Sequence, residues 1–269
     1  MKTVTRLIYA SLLIAGTFSA STAMACTTAL WNGGTEGAPL AGSPSDVSRV
    51  SGLCAMELAA AGSVKDTSPA AEAKAIMRFY VFAELNSGTP VIFEAFSDDG
   101  ATSSLLTVSF DGSDFVFDAG AGASAAVPGN PSGWNLVELD WTGGTAMDYW
   151  VNADSLTEAV TGSVTAAAGT MESVILGTRD TYTGTLTFDA YESHRSTPVG
   201  ALLIGDADGN GEVKNADAID ILIEARPFGA VLTSGQPDCN LDGEVKNDDA
   251  IDVLIASRPF GAVPCGIPE

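Results

Sequence analysis

The chain has 269 residues, with 34 acidic side chains against 12 basic ones and a single histidine. A net charge of −22 repels phosphate backbones and argues against nucleic acid as a partner. Four cysteines without a C-x-x-C pair, beside one histidine, leave no ligand set for a structural zinc site.

At the N-terminus, Lys2 and Arg6 accompany an apolar run over 7–18, and small residues follow, ending in Ala23-Met24-Ala25. This is the order of a secretory signal peptide over 1–25 with an A-x-A cleavage site, so the mature chain is expected to begin at Cys26. The run is shorter than the roughly 20 apolar residues a bilayer span requires, and the mature protein is expected to be soluble and extracellular. Export places the four cysteines in an oxidising compartment. They fall as two pairs at opposite ends of the chain, and Cys26–Cys54 with Cys239–Cys265 is the economical pairing of three possibilities.

Residues 26–198 read as a β domain. Short alternating or apolar runs at 76–85, 90–96, 105–110, 115–118, 134–141, 147–152, 173–176 and 185–193 predict strands. Gly, Asn, Asp and Ser clusters such as Asp98-Asp99-Gly100 separate them, and the Ala/Gly-rich stretch 119–133 is expected as a rim loop. The expected fold is therefore mainly β, a two-sheet sandwich, with a small helical domain after it. The run Trp134-Asn135-Leu136-Val137-Glu138-Leu139-Asp140-Trp141, the segment Tyr149-Trp150-Val151-Asn152 and the closing Gly184-Thr185-Leu186-Thr187-Phe188-Asp189-Ala190-Tyr191 resemble the concanavalin-like jelly roll of laminin-G-type modules and legume lectins. That resemblance implies a binding or adhesive module for glycan or a cell-surface or matrix ligand.

Some relatives of that fold hydrolyse polysaccharides with three carboxylates on one strand face, E-x-D-x-x-E or E-x-D-x-E. Here Glu138 and Asp140 supply two, but Thr142 and Gly143 stand where the third belongs, and the acid/base partner is missing. Glu138 and Asp140 are expected as solvent-side strand residues. His194 lies in a polar run at the domain boundary, and no nucleophile turn is present, so no catalytic residue is assigned. Trp31, Trp134, Trp141, Trp150 and Tyr149 are expected mostly in the core, with one or two exposed.

From 199 to 269 the pattern changes. Residues 206–231 and 238–263 repeat at an offset of 32, with 18 of 26 positions identical. Each copy opens with an aspartate-rich loop that follows the EF-hand order. Asp206, Asp208, Asn210 and Asp217 hold positions 1, 3, 5 and 12 of the first, and Asp238, Asn240, Asp242 and Asp249 hold them in the second. Gly211 and Gly243 occupy position 6, and Glu212 and Glu244 offer backbone carbonyls at position 7. A hard cation wanting six to eight oxygens suits such loops, and two Ca2+ ions are expected.

Helices are predicted over 215–225 and 247–257, with Ala218, Ile219, Leu222, Ile223 and their copies Ala250, Ile251, Leu254, Ile255 as an apolar stripe. Arg226-Pro227 and Arg258-Pro259 end them. Loop-then-helix, duplicated, resembles the type I dockerin module of cellulosome components, which implies calcium-dependent docking to a cohesin-like secreted partner. The sequence departs from that family at Lys214 and Lys246, where position 9 is usually Asn, and at Asn215-Ala216 and Asn247-Asp248, where a Ser-Thr pair often grips cohesin.

Taken together, the sequence reads as a secreted, non-catalytic calcium-binding protein, with a ligand-binding jelly roll and a docking tail, of the kind used in polysaccharide degradation. A polysaccharide hydrolase with an unrecognised active site and a structural protein of the cell exterior are the alternatives.

Overall fold

In the computed structural model, the described residues are 27–29, 31–42, 48–226, 233–258 and 265–266. The expected signal peptide and Cys26 lie outside them. Among the described residues, fourteen strands, all paired antiparallel, form two sheets of seven. The first sheet runs β1 (Thr35–Glu36), β4 (Gly62–Asp66), β13 (Ser173–Thr178), β6 (Val91–Phe96), β7 (Ser104–Phe110), β8 (Asp114–Asp118) and β9 (Val127–Pro128). The second runs β12 (Gly162–Thr165), β11 (Ala146–Val151), β10 (Asn135–Thr142), β5 (Lys74–Ser87), β14 (Thr183–His194), β3 (Ala55–Leu58) and β2 (Leu40–Gly42).

Period-two alternation assigns the faces. On β5, Ala75, Met77, Phe79 and Val81 point between the sheets, beside Val137, Leu139 and Trp141 of β10. Across the gap Phe79 stacks on Phe93 at 5.3 Å and Phe117 on Tyr149 at 4.1 Å, so aromatic rings knit the layers together. The opposite face of β5 carries Ile76, Arg78 and Tyr80, and these are buried as well. A strand buried on both faces needs a third layer, and the C-terminal segment supplies it. Tyr80, Trp134 and Leu136 share a second apolar cluster with Ile204 and Leu241.

Six strands fall outside the eight expected segments. Most are short and lack apolar alternation, as in Gly62-Ser63-Val64-Lys65-Asp66 of β4, so pairing partners define them rather than their own pattern. The stretch expected as a rim loop is partly sheet: β9 pairs with β8, and Ala119 is fully buried.

Two helices follow, α1 (Asn215–Glu224) and α2 (Asn247–Ala256), packed on each other. Each begins where Asp217 or Asp249 at the third helical position accepts the backbone N–H of the preceding Lys214 or Lys246. That satisfies one donor a helix start otherwise leaves open. The buried stripe differs from the expected one. Ala218 and Ile221, with Ala250 and Val253, form the inner face, whereas Ile219 and Ile251 are 57% and 56% exposed. The loop aspartates force the rotation: Asp217 and Asp249 must turn inward to cap their loops, and Ile219 and Ile251, two residues on, then point outward. Among the described residues, no helix is long and apolar enough to cross a membrane.

Candidate metal loops and the seam beneath them

The first loop is held open by its own backbone. Asp206 Oδ1 accepts the N–H groups of Gly209 and Asn210, and Oδ2 accepts that of Gly211 at 2.7 Å. From the loop's far end, Asp217 Oδ1 accepts Ala207 N–H at 2.9 Å, so the first and twelfth positions are pulled together. One ligand oxygen from each of Asp206, Asp208 and Asp217 lies within 4.8 Å of the others. A carboxylate oxygen keeps a free lone pair after accepting one N–H. Converging hard oxygens of this type fit a divalent cation of the calcium class. Asn210 and Glu212 sit at the exposed lip, with Lys214 paired to Glu212 rather than turned into the loop.

The second loop repeats the scheme with Asp238 accepting Gly243 N–H at 2.9 Å and Asp249 accepting Cys239 N–H at 2.9 Å. Asn240 and Asp242 stand at positions 3 and 5, and Glu244 pairs with Lys246. Burial, then the neighbouring Asp249, push the Asp238 carboxyl up to about 8, and burial pushes Asp249 up to about 6. A carboxyl that burial raises in this way binds its proton more tightly than a solvated one, and a bound cation would favour the ionised form. The Cys239–Cys265 disulfide ties residue 265 to position 2 of this loop. Cys54 is also disulfide-bonded; its expected partner Cys26 lies outside the described residues.

The loops differ in their surroundings. Gly209, Asn210 and Gly211 are exposed, whereas Leu241 and Gly243 at the corresponding places are buried against the sandwich. Trp134 N–H donates to the Leu241 carbonyl at 2.9 Å. A Cβ added to Gly243 would lie 3.1 Å from the Phe82 ring, and one on Gly133 would strike the Leu241 carbonyl at 2.3 Å. On the other flank Arg49, 2% exposed, reaches Glu224 at 2.7 Å, and Gly52 N–H donates to Gly235.

The two strand carboxylates are engaged by different partners. Glu138, expected on the solvent side, is fully buried, because the chain at 199–204 crosses that face. Its oxygens accept Val199 N–H at 2.9 Å and Gly200 N–H at 2.8 Å, while Arg78 donates to the Gly200 carbonyl at 3.0 Å. Asp140 is partly exposed and paired with Lys74 at 2.8 Å. His194 lies 3.0 Å from Glu192 at the end of β14. Of the aromatic candidates, Trp134, Trp141 and Tyr149 are buried, and Trp31 and Trp150 are partly exposed. Trp31 lies 5.1 Å from Tyr191, and the two border a shallow cleft of about 390 Å3 with Asn32, Asp66 and Ser68.

Sequence reasoning missed the seam, although the repeat carries its trace. Eight positions differ between the copies. Three of the differences, Gly209/Leu241, Glu224/Ala256 and Ala207/Cys239, place one copy's residue in the seam or in the disulfide.

Fold and loops together define a two-sheet β-sandwich followed by a duplicated loop-and-helix tail, the first loop of which brings Asp206, Asp208 and Asp217 together. No protein family matches the sequence, and neither does any curated protein. Among solved structures, the chain is similar to the cellulose-induced protein Cip1, at 13% identity and a TM-score of 0.44 over 62% of this chain and 88% of that one. It is also similar to the botulinum neurotoxin serotype D ligand-binding domain in complex with N-acetylneuraminic acid, at 10% identity and a TM-score of 0.41 over 58% of this chain. The receptor-binding domain of the C/D mosaic neurotoxin gives 10% identity and a TM-score of 0.43 over 60% of this chain. This chain spans 42% of the length of each of those toxin domains.

Proposed function

We propose that the chain is a secreted, non-catalytic binding protein in which two calcium ions order the tail, the sandwich holds a glycan, and the tail docks onto a second secreted protein. The convergence of Asp206, Asp208 and Asp217 within 4.8 Å carries the calcium part. Asp206, Asp208, Asn210, the Glu212 carbonyl and Asp217 would hold one ion. Asp238, Asn240, Asp242, the Glu244 carbonyl and Asp249 would hold the other. When bound, each ion neutralises three crowded carboxylates and supplies folding free energy through coordination.

A binding rather than cutting role is supported by Glu138, whose carboxylate is committed to the backbone of Val199 and Gly200. The glycan surface is assigned to the cleft beside Trp31, where an indole and a phenol adjoin the carboxylate of Asp66 and the amide of Asn32. Aromatic faces and oxygen acceptors together suit a sugar ring with its apolar face and its hydroxyls. Docking is assigned to the helical surface with its outward Ile219 and Ile251, in keeping with the dockerin-like repeat.

A glycan array with the mature protein tests the sandwich half. Binding to a defined glycan class, reduced at least ten-fold by Trp31→Ala and accompanied by no polysaccharide cleavage, is the expected result. Cleavage abolished by Glu138→Gln under conditions where the variant stays folded would replace this reading with the enzyme alternative.

A further inference from the structure

The two loops have different tasks, and Leu241 marks the difference. Position 4 of an EF-hand-type loop adopts a left-handed backbone here, with φ of +74° at Gly209 and +59° at Leu241. Glycine takes that conformation freely; a bulky side chain does so only when its surroundings hold it there. What holds Leu241 is the sandwich. Its side chain is 1% exposed in a cluster with Val50, Tyr80, Trp134, Leu136 and Ile204, and its carbonyl accepts Trp134 N–H. The residue lies between ligand positions Asn240 and Asp242, so the sandwich fixes the curvature of the segment that must wrap the ion.

The geometry points to the second loop as an intramolecular latch: its calcium ion and the seating of the tail on the sandwich stabilise one another, while the first loop loads independently. This rests on the calcium reading above and extends it. The coupling is reciprocal by thermodynamic necessity. If the sandwich tightens the second site by some factor, the ion tightens the seam by the same factor. At the first loop the tip residues Gly209, Asn210 and Gly211 face solvent, and its backbone at Asp206 and Ala207 reaches the sandwich only by way of Gly235 and Gln236 among the described residues.

Calcium titration calorimetry of the full mature chain tests this in two backgrounds, Asp206→Ala to report the second loop and Asp238→Ala to report the first. Into each is placed Leu241→Gly, which installs the residue of the first copy and relieves the backbone, or Phe82→Ala, which lies in the sandwich and outside the loop. Small-angle scattering of the wild type and of the Leu241→Gly and Phe82→Ala single variants, in calcium and in chelator, reports seating. Both substitutions are expected to weaken the second loop at least ten-fold and leave the first within two-fold. The radius of gyration should rise in the wild type on chelation, and in the variants at calcium levels that keep the wild type compact. Second-loop affinity unchanged within two-fold in both variants would overturn the latch. Absence of any calcium binding by the wild-type chain would instead remove the calcium reading itself, and the latch with it.

Discussion

Glu138 shows how far a single residue's role depends on what covers it. Alternation along 134–141 places Glu138 and Asp140 on one face of a strand, and that much the pattern settles. Whether the face meets water depends on residues 199–204, more than sixty positions away, which no local period encodes. In the structure this carboxylate accepts two backbone N–H bonds and is fully buried. Hydrogen bonds to charged groups contribute about 1.5–3 kcal/mol each, and a donor left buried without a partner costs more than one returned to water. Glu138→Ala is therefore expected to lower unfolding stability by about 3 kcal/mol, and Glu138→Gln by less. Urea denaturation at unchanged m-value checks it; a change below about 0.5 kcal/mol would place the residue on the surface after all.

At the scale of elements, the long strands and both helices were legible because each carries its own period and its own stops. Short edge strands were not, since Leu40–Gly42 or Gly62–Asp66 acquires its identity from a neighbour. The aspartate loops were legible as loops because the EF-hand order puts given residue types at fixed offsets. Their unequal burial was not read, although Leu241 in place of Gly209 records it.

The irregularity of β14 between Asp189 and Glu192 illustrates a different limit. It brings Asp189 to the loop at Val50 and Ser51, whose N–H groups both donate to its carboxylate at 2.8 Å. Burial nevertheless pushes this carboxyl up to about 6, against the pull of those N–H groups and of Arg49. With the folded value above the unfolded one, the native state holds the proton more tightly. This stabilising contribution is complete below the ordinary carboxylate range and is lost as pH rises from about 4 through about 6. Its size is about 3 kcal/mol. Because the loop aspartates titrate too, the informative quantity is the difference between wild type and Asp189→Asn at saturating calcium. Their stability difference should change across pH 4–6.5 in that direction, and a pH-independent difference would contradict it.

For the whole molecule, the sequence divides into two grammars at about residue 199, and composition suggests two independent bodies. The packing joins them. Tyr80, Arg78 and Leu136 are sandwich residues that make sense only beneath the tail, and Arg49 and Glu224 form a buried ion pair across the seam. Removing one partner of such a pair leaves an uncompensated buried charge, so the seam resists casual loss. The tail also borrows apolar area from the sandwich, which two ten-residue helices cannot supply alone.

The proposed function rests on calcium held by the two aspartate loops. Equilibrium dialysis of the purified mature protein against radioactive calcium at near-physiological ionic strength tests it most directly. Two ions bound per chain are expected, falling to one in Asp206→Ala or Asp238→Ala and to none in the double variant. A wild-type chain that retains no calcium at millimolar free ion would contradict it.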